Sequence, residues 1–172
     1  TFTIVPKEAS TLTVDAIANQ TYTRAALTPA VVVKDGTTTL TAITDYTVAY
    51  TDNINVGTAT VTITGAGNYT GTKTQTFTIA AKAASTLTID AIANQTYTGS
   101  ALSPAVVVKD GATTLTATTD YTVAYTDNTN AGTATVTITG TGNYTGTKVQ
   151  TFRIVKLVSS TTIDPIANQT YT

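Results

Sequence analysis

One run of the chain constrains its fold more than any other. Residues 45–72, DYTVAYTDNINVGTATVTITGAGNYTGT, return at residues 120–147 as DYTVAYTDNTNAGTATVTITGTGNYTGT, with three changes. The repetition extends outward: Phe2, Phe77 and Phe152 stand at intervals of 75 residues. A period of this size means that one structural unit is made twice. The spacing divides the chain into a first repeat at residues 10–84 and a second at residues 85–159. Residues 1–9, TFTIVPKEA, match TFTIAAKAA at the end of the first repeat and are expected to be the C-terminal strand of a preceding, truncated repeat. Residues 160–172 repeat the opening of each copy and are expected to begin a truncated third, so that the chain reads as an excerpt of a longer protein.

What each unit folds into follows from its residue types. Hydrophobic residues make up 41% of the chain and charged residues 11%, a balance that supplies a core and argues against disorder. Thr alone supplies about a quarter of the residues, and β-branched side chains at that density favour strands over helices. A formal charge of −1 gives no electrostatic footprint for nucleic acid. No apolar run reaches the roughly 20 residues of a membrane-spanning helix, so no membrane insertion is expected. The chain contains no Cys, which excludes disulfide staples and suits an exposed, extracellular setting.

Period-two alternation marks the strands within a repeat. TLTV and the following AIANQTYT, with Ile17 and Tyr22 inward, are predicted as two short strands, AVVVKDG as a third and TTTLTAI, anchored by Leu40, as a fourth. DYTVAYTDN places Tyr46, Val48 and Tyr50 on one face; GTATVTITG turns Ala59, Val61 and Ile63 inward; TKTQTFTI does the same with Gln75, Phe77 and Ile79. The predicted core therefore comprises Tyr46, Val48, Tyr50, Val61, Ile63, Tyr69 and Phe77, and Tyr121, Val123, Tyr125, Val136, Ile138, Tyr144 and Phe152 in the second copy. Tyr69 and Tyr144 are expected to bond backbone across a corner of the fold. About seven short strands per repeat, with a turn signal every 8 to 12 residues, predict an all-β protein of two tandem immunoglobulin-like β-sandwiches. The junction TFTIAAKAASTLT lacks Gly and Pro, which predicts a stiff connection, and AAKAA has the composition for a single helical turn.

Catalytic chemistry has little to draw on. The chain has no His, no Cys and a single Glu, Glu8, so neither a Ser-His-Asp nor a Cys-His arrangement exists, and paired-carboxylate hydrolysis would fall to Asp15, Asp35, Asp45 or Asp52. Each of these has a commoner role in a turn, and neither an enzyme nor a cofactor is expected. Asp52, Asn53 and Asn55, with Asp127, Asn128 and Asn130 in the second copy, are weak metal candidates because they sit in a loop of calcium-binding composition. Alternate positions from Asp52 read Asp, Ile, Val and no bidentate Glu follows, so a hairpin loop whose Asn and Gly residues adopt positive φ is the better reading.

Four further features have plain structural readings. Asn19, Asn68, Asn94, Asn143 and Asn168 open N-x-Thr sequons, which arise by chance in so Thr-rich a chain. Lys34 or Lys73 with Asp45 supplies the residue types of an isopeptide cross-link, but no Glu lies inside either repeat to promote it. The outward Thr ladders suggest ice binding, but sheet twist spoils the flatness that a lattice match needs. Tyr, Val and Ile on single faces fit a sandwich core.

The pattern QTYTG-x-A-x-x-P-A-V-x-V-x-D-G, followed by DYTVAY, N-x-x-G-T-A-T-V-T-I-T-G-x-G-NYTGT and F-x-I, resembles the tandem repeats of bacterial cell-surface adhesins, the MBG-like and bacterial immunoglobulin-like modules. Arg24, where the second copy has Gly99, departs from it, as do Asp52 and Asp127, where such repeats often show Asn. The resemblance implies an extracellular, wall-anchored or secreted setting and a structural spacer whose partners are the neighbouring repeats. The alternative it implies is a binding module for a host glycan or protein. The terminal pieces, residues 1–9 and 160–172, carry strand sequence and are expected to pair by strand addition with a neighbouring domain or another molecule.

Overall fold

The computed structural model of the protein describes residues 1–156. They are all-β: short strands and two 3-10 turns, with no α-helix among the described residues. The first unit runs β1 (Lys7–Glu8), a 3-10 turn (Ala9–Thr11), β2 (Thr13–Val14), β3 (Gln20–Thr21), β4 (Val33–Asp35), β5 (Thr38–Thr39), β6 (Tyr46–Thr51), β7 (Gly57–Gly65), β8 (Tyr69–Thr70) and β9 (Thr72–Ala80). The same order returns as β10 (Lys82–Ala83), a 3-10 turn (Ala84–Thr86), β11 (Thr88–Ile89), β12 (Gln95–Thr96), β13 (Val108–Asp110), β14 (Thr113–Thr114), β15 (Tyr121–Thr126), β16 (Gly132–Gly140), β17 (Tyr144–Thr145) and β18 (Thr147–Val155).

Each unit is built on its central strand, β7 or β16, because that strand has the longest unbroken alternation. β7 pairs antiparallel with β6 on one side and β9 on the other, and β3 adds to the outer edge of β9 in parallel. A second sheet, β2-β4-β5, supplies the opposing layer, and β1 pairs in parallel with β8. In the second unit the orders β12-β18-β16-β15, β11-β13-β14 and β10-β17 reproduce this arrangement. The register places Val61 between Tyr50 and Gln75 and Ile63 between Val48 and Lys73, so the inward row is apolar across β6 and β7, and β9 adds apolar partners only at Phe77, opposite Ala59, and Ile79, opposite Gly57.

Two separate cores result. The first gathers Ala9, Leu12, Val33, Leu40, Tyr46, Ala59, Val61, Ile63, Phe77 and Ile79, with Val48, Tyr50 and Tyr69 packed against it. The second gathers the equivalents, among them Tyr121, Val136, Ile138, Tyr144 and Phe152, with Val123 and Tyr125 alongside. Contributions come from both sheets in each case: Val33 and Val108 from the smaller sheet, Val61 and Val136 from the larger. Ala9 and Ala84 are buried members that alternation alone does not reveal, because the 3-10 turn brings them inward; Leu12 and Leu87, just after the turns, are buried apolar positions of the alternating TLTV and TLTI.

The chain departs from its predicted elements in three places. AVVV does not form a continuous strand: only Val33–Asp35 joins the ladder. Pro29 has no N–H to donate, and side chains serve the carbonyls ahead of β4 instead. Tyr50 donates its hydroxyl to Pro29 O at 2.5 Å, Tyr46 to Val31 O at 3.1 Å, and Asn53 Nδ2 to Leu27 O at 2.9 Å. The Ala-rich junction is not a helical turn either; Lys82–Ala83 is a strand and the 3-10 turn starts only at Ala84. Finally, Tyr69 and Tyr144 bond to carboxylates rather than backbone, donating to Oδ2 of Asp35 at 3.3 Å and of Asp110 at 3.1 Å.

The strands at the repeat boundaries show where each unit begins. Lys7 and Glu8 lie in register with Tyr69 and Thr70, and Lys82 and Ala83 with Tyr144 and Thr145. Ala9 thus joins the core that follows it, whereas Lys7 and Glu8 are exposed, as are Phe2, Ile4 and Val5. The expectation for residues 160–172 lies outside the described residues.

Candidate functional site

The 52–57 loop joins β6 to β7, and its copy at 127–132 joins β15 to β16, so their backbone is set by the hairpin. Asp52 takes φ 55° and Gly57 φ 141°, and Asp127 and Gly132 take matching values. The positive φ thus falls on Asp and Gly rather than on Asn. Asn53 is occupied elsewhere: its amide donates to Leu27 O, while the Leu27 N–H returns a bond to Asn53 O at 2.8 Å. Asn128 and Leu102 form the same clamp at 2.9 and 2.8 Å. Among the described residues no group of three His, Cys, Asp or Glu side chains converges on one point. The first loop lines an open hollow of about 430 Å³ with Asp52, Asn53, Ile54, Asn55, Val56, Gly57 and Thr58.

The remaining acids are engaged singly. Asp15 pairs with Lys34 at 2.6 Å, and Asp90 with Lys109 at the same distance. Asp35 pairs with Lys7 at 2.5 Å, and the hydrogen bond from that ammonium holds the Asp35 carboxyl below the usual carboxylate range. Asp45 accepts the Thr41 N–H at 2.8 Å and so closes the loop before β6. Lys73 turns to the carbonyls of Ser10 and Leu12 and binds the 3-10 turn to β9; Lys148 does the same at Ser85 and Leu87. Neither Lys34 nor Lys73 meets Asp45, so the isopeptide pair is not assembled.

Functional side chains from distant parts of the sequence meet at one place, the boundary between the units. Tyr22, just after β3, stands edge-on to Tyr144 with ring centroids 5.6 Å apart and planes at 87°. Tyr22 packs against both cores at once. Beside it the Val56 N–H donates to Asn143 Oδ1 at 2.9 Å, and Asn143 Nδ2 donates to Asn55 Oδ1 at 3.1 Å. One Asn side chain thereby satisfies a backbone donor and a side-chain acceptor of the preceding unit.

The boundary changes the environment of the groups beneath it. Tyr144 is 3% exposed, and burial, followed by the charge of Asp110, pushes its hydroxyl up to about 12. The side chain of Asp110, paired with Lys82 at 2.6 Å, is 8% exposed, against 28% for Asp35 at the uncovered end of the first unit. The Arg24 guanidinium opposes the rise at Tyr144 by favouring the phenolate. Arg24 has φ 74°, a left-handed conformation that its counterpart Gly99 adopts at 84°.

Sequence reading singled out Asn55 and Asn143 separately, one as a loop residue and one as a sequon, and did not bring them together. They are 88 positions apart, and neither period nor spacing signals such a contact. No protein-family model matches the chain, and no curated protein matches it significantly.

Proposed function

We propose that the chain is a non-catalytic structural spacer: two tandem immunoglobulin-like β-sandwich repeats of a large bacterial surface adhesin, projecting a functional tip from the cell. The observation that carries this reading is the joint. Asn143 bridges to Val56 and Asn55, and Tyr144 packs on Tyr22, so the second unit is tied to the first by more than its linker. A T-shaped aromatic pair contributes about 0.5–1.5 kcal/mol beyond its buried area, and the Asn143 bonds fix direction as well. Such a joint favours a stiff rod, and repetition of units then sets its length. Sequence resemblance supports the extracellular, cell-surface setting, and the separate cores support one sandwich per repeat.

Spin labels test the stiffness directly. The chain has no Cys, so Thr76→Cys and Thr151→Cys, both exposed and equivalent in their units, give one label per repeat. Pulsed dipolar spectroscopy is expected to return a single narrow distance distribution that broadens in Asn143→Ala. A broad distribution in the wild type overturns the spacer reading. The second reading, a module that binds a glycan or protein, is favoured by the open hollow of the 52–58 loop. Saturable submicromolar binding on a glycan or host-protein array would establish it in place of the spacer.

A further inference from the structure

The joint has two complementary faces, and each unit carries both. One face is the Gly-x-Gly-Asn-Tyr turn, presented by Asn143 and Tyr144 in the second unit and by Asn68 and Tyr69 in the first. The other is the acceptor face of Tyr22, Asn55 and Val56, whose counterparts are Tyr97, Asn130 and Ala131. Only one of each is used within the described residues. Tyr97 is 40% exposed and, with Asn130, Ala131 and Lys156, lines an open hollow at the far end of the second unit. Asn68 is likewise exposed, and Tyr69 is less covered than Tyr144.

We propose that the Tyr97–Asn130–Ala131 hollow is a docking surface for the Asn68–Tyr69 turn of a second copy of this chain, forming a head-to-tail stack. The argument is continuity with an interface already made in the molecule. The backbone N–H of Ala131 is the counterpart of the Val56 donor, Asn130 of the Asn55 acceptor, and Tyr97 of the ring that receives Tyr144. The contact is heterologous: the two faces differ, so it does not close on itself and can propagate. Residues 1–6 of the incoming copy, exposed and outside any strand, must turn aside to admit it. This inference does not depend on the spacer reading, since a ligand-binding module would carry the same two faces.

Arg24 and Gly99 offer a handle on strength. Arg24 adds a guanidinium beside Tyr144 in the joint that is made, and Gly99 leaves that position empty. Gly99 shares the left-handed backbone of Arg24, and a Cβ built there meets nothing nearer than the Tyr97 hydroxyl at 3.9 Å. Gly99→Arg is therefore expected to strengthen docking, with the strain of a left-handed Arg, which Arg24 already bears in the first unit, set against the gain.

The test mixes isotope-labelled full-length chain with an unlabelled copy bearing a nitroxide at Thr72→Cys, an exposed position beside the Asn68 turn. Intermolecular paramagnetic relaxation detects association at the weak end of specific binding, up to about 1 mM. Selective loss of amide intensity is expected at Tyr97, Asn130 and Ala131. None is expected at Tyr22, Asn55 and Val56, which the chain's own Asn143 and Tyr144 already cover. The loss should deepen in Gly99→Arg and disappear in Tyr97→Ser. Uniform loss, equal loss at the covered set, or no loss in either the wild type or Gly99→Arg overturns the proposal. So does an oligosaccharide that shifts the Tyr97 and Asn130 amides when the labelled copy does not.

Discussion

At the scale of single residues, the most telling positions are those whose backbone opposes their side chain. Ile43 has φ 74° and Thr118 φ 71°, left-handed conformations that β-branched residues resist. Each is held from two sides: the Ile43 N–H donates to Tyr46 O at 2.7 Å, and Asp45 binds Thr41 through both backbone and carboxylate. Ile43 is 86% exposed, so its side chain contributes almost no burial to offset the strain. Ile43→Gly is expected to stabilise the first unit by about 1 kcal/mol, read as a higher urea midpoint at unchanged slope. At the core the sign reverses: Phe77→Ala, removing a ring 3% exposed opposite Ala59, should cost about 3–5 kcal/mol in the same measurement. Core positions such as Val61, Ile63 and Phe77 were legible because period two on a long strand leaves one choice of face. The strain at Ile43 was not, because no side-chain pattern marks a left-handed Ile; it is imposed by the loop that Asp45 closes.

At the scale of elements, length decided what the sequence disclosed. β7 and β9 show long alternation and emerge as expected, whereas β3, β5 and β8 are two residues each and are defined by their partners. The stretch before β4 looked like strand because it is apolar. Its carbonyls are instead claimed by Tyr46, Tyr50 and Asn53, a tertiary arrangement that overrides β-propensity. The 3-10 turn at Ala9–Thr11 rests on a similar long-range device, Lys73 reaching from β9 to the Ser10 and Leu12 carbonyls. Lys73→Met keeps the aliphatic stem and removes the donor. It is expected to destabilise the unit by about 1–3 kcal/mol and to raise hydrogen exchange first in β2 and the adjoining turn.

At the scale of the whole molecule, the joint makes one tyrosine report on the relation between two units. Tyr144 ionises at about 12 in the folded chain, because burial and then the Asp110 carboxylate disfavour the phenolate, against about 10 in the unfolded chain. A raised pKa on an acid means that the folded state holds its proton longer. Its contribution is fully present below about pH 10 and is lost as pH rises toward 12. Burial also raises Tyr50, Tyr69, Tyr121 and Tyr125, so ultraviolet titration should show several tyrosinate steps displaced upward, and Tyr22→Ala should return the Tyr144 step toward the ordinary range. This joint lay beyond sequence reading because Tyr22 and Tyr144 each look like core residues of their own repeats, and their meeting depends on how the units sit.

The parallel strands have a mechanical consequence. The chain enters each unit along β1 and β3 and leaves along β9, and β3 runs parallel to β9 as β1 does to β8. Tension applied to the two ends draws such neighbours past each other lengthwise. It loads their hydrogen bonds together, where an antiparallel hairpin pulled at its open end would lose them one at a time. A chain with this geometry resists stretching at its seams, where strands next to its ends pair with the sheet edges.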